Sequence, residues 1–358
     1  MRRSLALVPL LGLTLAGFAF AETTRTLRVQ LSGDPSRPFA VENLAGTMRI
    51  TATDEPSVTA IATLHAESDA LANAVRFEQV VNEKGLPALR VRFPVGQHQA
   101  YRYPGSGSEG FWEGWFGGSR IKYDGALVSV NGTRGVLLYA DLEVQVPRKA
   151  IDAVFKNHVG ALSAEGLEGR IRLDSGSGAI TAERMKGDLV ADTGSGNITA
   201  NDIEGSFVCD TGSGNCTVSR FTGEALKCDT GSGSVQLDGA SARRIAADTG
   251  SGKVRALAID AEEFLADTGS GSIELETKGA RLRQIKADTG SGSVRLRLPP
   301  DTGFELRADT GSGDIVSHFA DAQAILHRKE VVGYRRGDAR VRITADTGSG
   351  NVVVEPAR

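Results

Sequence analysis

The sequence predicts an all-β protein, a single-chain β-solenoid of 18–21-residue coils with a β-rich N-terminal cap region. A five-residue motif, D-[ST]-G-S-G, recurs nine times at nearly constant spacing, and apolar side chains alternate with polar ones around each copy. The chain also contains 44 glycines but only 11 prolines. Glycine without proline, interleaved with Val, Ile and Leu, is typical of tight turns between short strands.

The first 21 residues are typical of a secretory signal peptide. Arg2 and Arg3 precede an apolar run from Leu5 to Phe20, and Ala19-Phe20-Ala21 is a small-x-small cleavage pattern. We therefore expect residues 1–21 to be removed and the chain to be exported to the periplasm or to the cell surface and exterior. A membrane anchor is the alternative interpretation of this run, but the run is short and its end matches a cleavage site. No second apolar stretch approaches the roughly 20 residues of a spanning helix.

The charge balance limits the kinds of partner. The formal net charge of −3 becomes −5 when Arg2 and Arg3 leave with the signal peptide. No polybasic tract remains, which argues against nucleic acid as a partner.

Residues 22–165 lack the motif but keep strand periodicity, for example where Met48 and Ile50 alternate with Arg49. We expect this region to begin the same solenoid and to cap its first coil, since a terminal coil exposes apolar core and free strand edges. A separate small β-domain is the alternative. The repeats would then occupy residues 166–358.

An aromatic, glycine-rich insertion at 101–125 interrupts the N-terminal region. Its candidate partner-binding side chains are Phe111, Trp112, Trp115 and Phe116. One hypothesis is a loop that contacts a ligand, a glycan or a partner. The other is a loop that packs on the side of the solenoid.

The repeats are spaced as the coils of a solenoid would be. The motif begins at Asp174, Asp192, Asp210, Asp229, Asp248, Asp267, Asp288, Asp309 and Asp346. The intervals are 18, 18, 19, 19, 19, 21, 21 and 37 residues, so one supersecondary unit repeats along an axis. The last interval predicts either a coil without the motif or, as we favour, a long loop within 317–338.

The alternation assigns an inward and an outward face to each strand. Leu189, Ala191 and Thr193 share the inward face, while Val190 and Asp192 face outward. The threonine hydroxyl is expected to bond backbone groups at the corner. The Gly-Ser-Gly segment is expected to supply a positive φ.

The outward aspartates are predicted to be structural turn residues that stack along the rod. This set comprises Asp192, Asp210, Asp229, Asp248, Asp267, Asp288, Asp309 and Asp346. Carboxylates about 4.8 Å apart repel by about 0.9 kcal/mol in water and about 3.5 kcal/mol at an effective dielectric of about 20. We expect each to accept N–H groups of its own turn, with screening from Lys227, Lys286 and Arg307.

No cofactor is predicted, although a row of Ca²⁺ ions is the alternative function of these aspartates. Calcium-binding solenoids carry more carboxylates per coil than this chain does. D-T-G-S also matches the signature of aspartic proteases, which use two special copies that share a proton. Nine equivalent copies instead indicate a turn code, so no catalytic residue is predicted.

The three cysteines predict one disulfide and one buried thiol. Cys209 and Cys228 occupy the same inward position in successive coils, at a separation within the disulfide range, and are the predicted pair. Cys216 lies across the core from Cys209. The absence of a C-x-x-C spacing argues against a zinc site.

Several segments resemble a known family. They are VENLAGTMRITATDEPSV, LEVQVPRKAIDAVFKNHVGALSAEGLEGRIRL, the repeated ADTGSG units and the closing GDARVRITADTGSGNVVVE. Together they resemble a bacterial β-strand-repeat family of unknown function labelled "putative adhesin". The resemblance covers nearly the whole mature chain, departs at 101–125, and implies no catalytic residues.

The sequence therefore predicts an exported, non-catalytic β-solenoid that acts as an adhesin-like binding or scaffolding protein of the bacterial envelope. Its expected partner is an unidentified protein or glycan. One alternative is a polysaccharide-active β-helix enzyme, which would need a cluster of non-equivalent carboxylates. The other is an accessory protein of envelope-stress signalling.

Overall fold

The computed structural model describes residues 22–31, 37–106, 118–279 and 281–357. Its strands join in one extended β-structure, and the predicted all-β solenoid is confirmed. The predicted signal peptide lies outside the described residues, as does the centre of the aromatic insertion. In the described part of the chain, no helix is long and apolar enough to cross a membrane.

The described residues of the N-terminal region form ten strands and two short helices. The elements are β1 (Thr23–Gln30), β2 (Phe39–Ala45), β3 (Met48–Thr53), β4 (Thr59–Ala66), α1 (Asp69–Ala74), β5 (Arg76–Val81), β6 (Pro87–Arg92), β7 (Ala100–Arg102), a 3₁₀ turn (Pro104–Ser106), β8 (Ser119–Tyr123), β9 (Ala126–Asn131) and β10 (Val136–Pro147).

The central coils follow without interruption. Their strands are β11 (Ile151–Val159), β12 (Leu162–Glu165), β13 (Glu168–Ser175), β14 (Ile180–Thr193), β15 (Ile198–Thr211), β16 (Cys216–Thr230), β17 (Val235–Asp238), β18 (Ser241–Thr249), β19 (Val254–Thr268), β20 (Ile273–Thr277), β21 (Gln284–Thr289) and β22 (Val294–Leu298).

The C-terminal part adds six strands. They are β23 (Phe304–Thr310), β24 (Ile315–Ser317), β25 (Gln323–His327), β26 (Glu330–Arg336), β27 (Val341–Thr347) and β28 (Val352–Pro356).

The N-terminal region supplies the first coils of the solenoid. β2 pairs in parallel with β11, and β11 pairs in parallel with β13. On the other side of the turn, β3 pairs with β12, and β12 with β14. Two coils without the motif therefore precede the first D-S-G-S-G turn. β10 covers this end, because it pairs in parallel with β3 and antiparallel with β4.

The coils bury the face that the alternation assigns to the core, except in the coil of Asp309, where Ala308 and Thr310 are partly exposed. Leu189, Ala191 and Thr193 are at most 3 % exposed, while Val190 and Asp192 are partly exposed. The threonine prediction is also confirmed. Thr193 Oγ1 donates to the carbonyl of Gly178 in the previous coil at 2.9 Å, and the N–H of Gly196 donates to Thr193 Oγ1 at 3.3 Å. The same pair of bonds recurs at Thr211, Thr230, Thr249, Thr268, Thr289 and Thr347.

The prediction that the motif glycines supply a positive φ is wrong. All of them lie in the described ranges, and none adopts a left-handed backbone there. Their role is close approach between coils, since a Cβ on Gly196 would lie 2.1 Å from the carbonyl oxygen of Gly178. The left-handed corners lie instead on the opposite side of the coil, at Arg184, Asp202, Arg220 and Ala258.

The order of coils in space departs from their order in sequence at the C-terminus. β27 lies between β21 and β23, and β28 lies between β22 and β24. The coil of Asp346 is thus inserted between the coils of Asp288 and Asp309. The long interval contains no further coil: β25 and β26 form an antiparallel hairpin, and β26 pairs with β23 to cover the terminal coil.

Candidate functional site

The outward aspartates form one continuous row, which we call the aspartate ladder. Each is in register with the aspartate of the neighbouring coil. In spatial order the ladder contains Asp174, Asp192, Asp210, Asp229, Asp248, Asp267, Asp288, Asp346 and Asp309. The predicted stacking of these side chains is therefore present along the whole rod.

Among the described residues, the backbone N–H groups of a turn do not donate hydrogen bonds to the aspartate of the same turn. Within the described residues, the predicted hydrogen bonds from each turn to its own carboxylate are absent, and this expectation is wrong. The reason is competition: the threonine hydroxyl accepts the N–H of the second glycine, as in the bond from Gly214 to Thr211 at 3.1 Å. The threonine thus fixes the corner, and the aspartate remains directed outward.

Charge repulsion along the ladder is only partly offset. Burial, and then the neighbouring aspartates on either side, raise the pKa of Asp210, Asp248 and Asp346 above the ordinary value of 3.8. Lys227 Nζ lies 3.5 Å from Asp229, and Lys286 Nζ lies 2.7 Å from Asp288.

The third predicted screening group does not contribute to the ladder. Arg307 pairs with Glu305 at 3.1 Å, and among the described residues it forms no ion pair with Asp309. At the opposite end of the ladder, Arg172 instead pairs with Asp192 and lies 3.7 Å from Asp174.

The C-terminal end of the ladder forms an open trough of about 590 Å³. Its acidic lining consists of Asp267, Asp288, Asp346 and Asp309, with threonines and glycines of the same turns between them. One buried oxygen, Oδ1 of Asp288, has no hydrogen-bond partner. Among the described residues, however, no three ladder carboxylates converge as the ligands of a metal ion would.

The row continues beyond the ladder into the N-terminal region with alternating charge. Lys156 is in register with Asp174, Glu42 with Lys156, and Arg90 with Glu42. These side chains line a cavity of about 480 Å³, here called the polar cleft, together with Asp124. The row of in-register residues thus changes from aspartates alone to alternating charges at this end of the rod.

Arg90 organises the floor of the polar cleft. Its Nε donates to Glu42 at 2.7 Å and its Nη1 donates to Asp124 at 2.7 Å. The side chains of Glu42 and Asp124 are only 8 % and 1 % exposed. Both carboxylates are therefore held by one guanidinium, an arrangement that suits a rigid recognition surface.

His158 forms the wall of the cleft beside Tyr123, with ring centroids 5.4 Å apart. Burial, and then the positive charges of Lys156 and Arg90, lower the pKa of His158 to about 3. The imidazole is consequently neutral at physiological pH. The hydroxyl of Tyr123 donates to the carbonyl of Val91 at 2.6 Å.

Sequence reasoning missed the polar cleft. Glu42, Arg90, Asp124 and Lys156 are widely separated in the sequence and belong to no motif. Glu42 within strand β2, where it and Asn43 are the only polar residues, is the one local signal, because a buried carboxylate requires a partner.

The predicted disulfide between Cys209 and Cys228 is wrong. The structure pairs Cys209 with Cys216, with Cα atoms 6.5 Å apart, and leaves Cys228 as a buried free thiol. Cys209 and Cys228 are in register, but their side chains point the same way from adjacent parallel strands. The side chain of Cys216 approaches from the opposite side of the narrow core.

The candidate loop residues Phe111, Trp112, Trp115 and Phe116 lie outside the described residues. The described flanks of the insertion pack inward. Tyr101 is fully buried, and the ring of Tyr103 lies 5.1 Å from that of Tyr139.

Comparison with known proteins identifies related chains. Residues 139–355 match the family described as Toastrack DUF4097. No curated protein matches the chain.

Three solved structures are similar to this chain over most of its length. A "putative lipid binding protein" from Parabacteroides distasonis is 15 % identical, covers 92 % of this chain and 96 % of its own, and has a TM-score of 0.46. A "putative adhesin" from the same species is 12 % identical, with coverages of 94 % and 97 % and a TM-score of 0.43. A "putative adhesin" from Parabacteroides merdae is 10 % identical, with coverages of 94 % and 96 % and a TM-score of 0.43.

Proposed function

The chain belongs to the Toastrack DUF4097 family, and from that premise we propose that it is an exported, non-catalytic binding or scaffolding protein of the bacterial envelope. Its partner is a protein or glycan of that envelope, and the aspartate ladder is its contact surface.

The observation that carries this proposal is the equivalence of the ladder positions. Nine aspartates occupy the same outward position of successive coils, and threonine and glycine, not aspartate, build the corner beneath them. General acid–base chemistry needs two titratable groups whose surroundings move their pKa values apart. A row of like carboxylates instead offers many weak contacts to an extended partner that carries donors or positive charge.

The polar cleft supports the same reading over the enzymatic alternative. A hydrolase acting on polysaccharide needs two carboxyl groups free to face a substrate. Glu42 and Asp124 are both engaged by Arg90 and are almost completely buried. Incubation of the full chain with envelope polysaccharides, followed by measurement of reducing ends, tests this point. Release of sugars that depends on Glu42 would contradict the proposal.

The binding role is tested by removing charge from the ladder. The triple variant Asp210→Asn, Asp229→Asn, Asp248→Asn neutralises three adjacent positions while keeping side-chain size. The matched control is Glu204→Gln, Glu224→Gln, Asp238→Asn, which removes three exposed carboxylates from other columns of the same coils. Co-sedimentation with isolated bacterial envelopes and glycan arrays measure binding.

We expect the ladder variant to lose most of its binding and the control to keep it. Equal binding by the two variants would show that the ladder is not the contact surface. A Trp112→Ala, Trp115→Ala variant tests the aromatic loop in the same assay. A loss of binding confined to that variant would move the contact surface from the ladder to the loop.

A further inference from the structure

The three cysteines of the chain converge on one point inside the solenoid. The sulfur atoms of Cys209, Cys216 and Cys228 all lie within 4.8 Å of one another. All three side chains are fully buried. The disulfide between Cys209 and Cys216 uses two of these sulfurs, and the third lies beside the bond.

The cysteines are departures from the residue pattern of the coils. Cys209 and Cys228 occupy an inward column that is alanine in the coils on either side, at Ala191 and Ala247. Cys216 occupies a column that holds Ile198 and Val235. Packing alone therefore does not require a sulfur at any of the three positions. The disulfide accounts for two of the substitutions and leaves Cys228 without a role.

We propose that the reduced chain holds a soft, thiophilic metal ion, Cu(I), in a three-sulfur site formed by Cys209, Cys216 and Cys228. The disulfide is then the oxidised alternative of the same site. Cysteine thiols are reduced when a chain is made, so capture of the ion competes with formation of the bond. The site is independent of the proposed role of the aspartate ladder.

The geometry and the donor set select this class of ion. Thiolate ligands favour Cu(I) and zinc over the hard cations. Metal–sulfur bonds of about 2.3 Å place three sulfurs about 4 Å apart in a trigonal site. All three sulfurs already lie within 4.8 Å of one another, and reduction of the disulfide frees those of Cys209 and Cys216 to separate toward that value. The site supplies three ligands in a closed apolar core, whereas zinc sites have four ligands.

Loading transfers protons but no electrons. Each cysteine that coordinates as a thiolate releases one proton to solvent, and the copper remains Cu(I). Because the sulfurs are inaccessible to solvent, the ion must enter before the coils close.

The test is refolding of the full chain without oxygen, in the presence of reductant and Cu(I) supplied from a chelator complex. Bound copper is quantified by competition with the chelator, and its sulfur neighbours are counted by X-ray absorption. We expect one Cu(I) per chain, coordinated by three sulfurs. Oxidised protein treated in the same way should bind none.

Cys228→Ala is the decisive variant, since alanine fills the same column in neighbouring coils and the variant should fold normally. Copper bound to this variant should have two sulfur neighbours, and the affinity for Cu(I) should be at least about tenfold lower than in the wild type. Replacing a residue that only supports a metal ligand already lowers affinity by about that factor, and here a ligand itself is lost. The proposal would be overturned if copper bound to the wild-type chain had only two sulfur neighbours. So would equal affinity of the wild type and Cys228→Ala, or the absence of copper from the refolded reduced chain.

Discussion

The glycine that ends each motif should be the least replaceable residue of the coil, and Gly214 tests this. A Cβ added there would lie 1.9 Å from the carbonyl oxygen of Gly196, although real Cβ atoms essentially never come closer than 3.0 Å. The two coils would have to separate by about 1 Å, an overpacking of the kind that costs about 1–3 kcal/mol. The separation would also stretch the bond from Thr211 to Gly196, now 2.9 Å long and worth about 1 kcal/mol.

Part of this cost is offset because alanine lowers the conformational entropy of the unfolded chain, which stabilises the folded state by about 0.4–1 kcal/mol. We therefore expect Gly214→Ala to lower the free energy of unfolding by about 1–3 kcal/mol, measured by urea titration with far-UV circular dichroism. Gly96→Ala is the control, because a Cβ there meets nothing within 4 Å. It should leave stability unchanged or slightly increased. Equal stability of the two variants would refute the close-approach role of the motif glycines.

Three further predictions follow from the ladder and the cysteines. Burial and the neighbouring carboxylates raise the pKa of Asp248 in the folded state above the ordinary value of 3.8. Between pH 3.8 and the raised pKa the folded state therefore binds more protons than the unfolded state, and the free energy of unfolding falls as the pH rises through this range. Asp248→Asn should therefore be more stable than wild type at pH 7 and equal to it below about pH 3.8, and a less stable variant at pH 7 would contradict this assignment. EDTA should leave the melting temperature unchanged if the ladder is structural and free of Ca²⁺, whereas a fall of several degrees would establish a calcium site. Non-reducing denaturation of oxidised protein should expose one titratable thiol, and peptide mapping should place it at Cys228; a free thiol at Cys216 would restore the pairing of Cys209 with Cys228.

Features that depend on periodicity could be predicted from the sequence. The period of two assigned Leu189, Ala191 and Thr193 to the core, and the constant interval predicted the register of the aspartates. The register of the aspartates holds in every motif coil, and the burial of the inward face holds in all but the coil of Asp309, where Ala308 and Thr310 are partly exposed. The requirement for glycine in the motif could be predicted, but its cause could not. The sequence D-T-G-S-G is the same whether glycine is needed for a positive φ or for a close contact between coils.

Features that depend on how coils meet in space could not be predicted. Every coil carries the same motif, so nothing in the sequence places Asp346 between Asp288 and Asp309. The disulfide was mispredicted because strand register gives the separation of the backbones but not the direction of the side chains across the core. The polar cleft combines residues from distant strands, whose proximity only the fold creates.

The central claim is that threonine, and not aspartate, stabilises the corner of each coil. It is tested most directly by the free energies of unfolding of Thr211→Val and Asp210→Asn at neutral pH. Thr211 is 1 % exposed and bridges two coils through its hydroxyl, so its replacement should cost about 1–3 kcal/mol. Asp210 lies outside and repels its neighbours, so its replacement should cost nothing or stabilise the protein. If Asp210→Asn were instead the more destabilising change, the aspartates would be supports of the fold and not a surface free to bind.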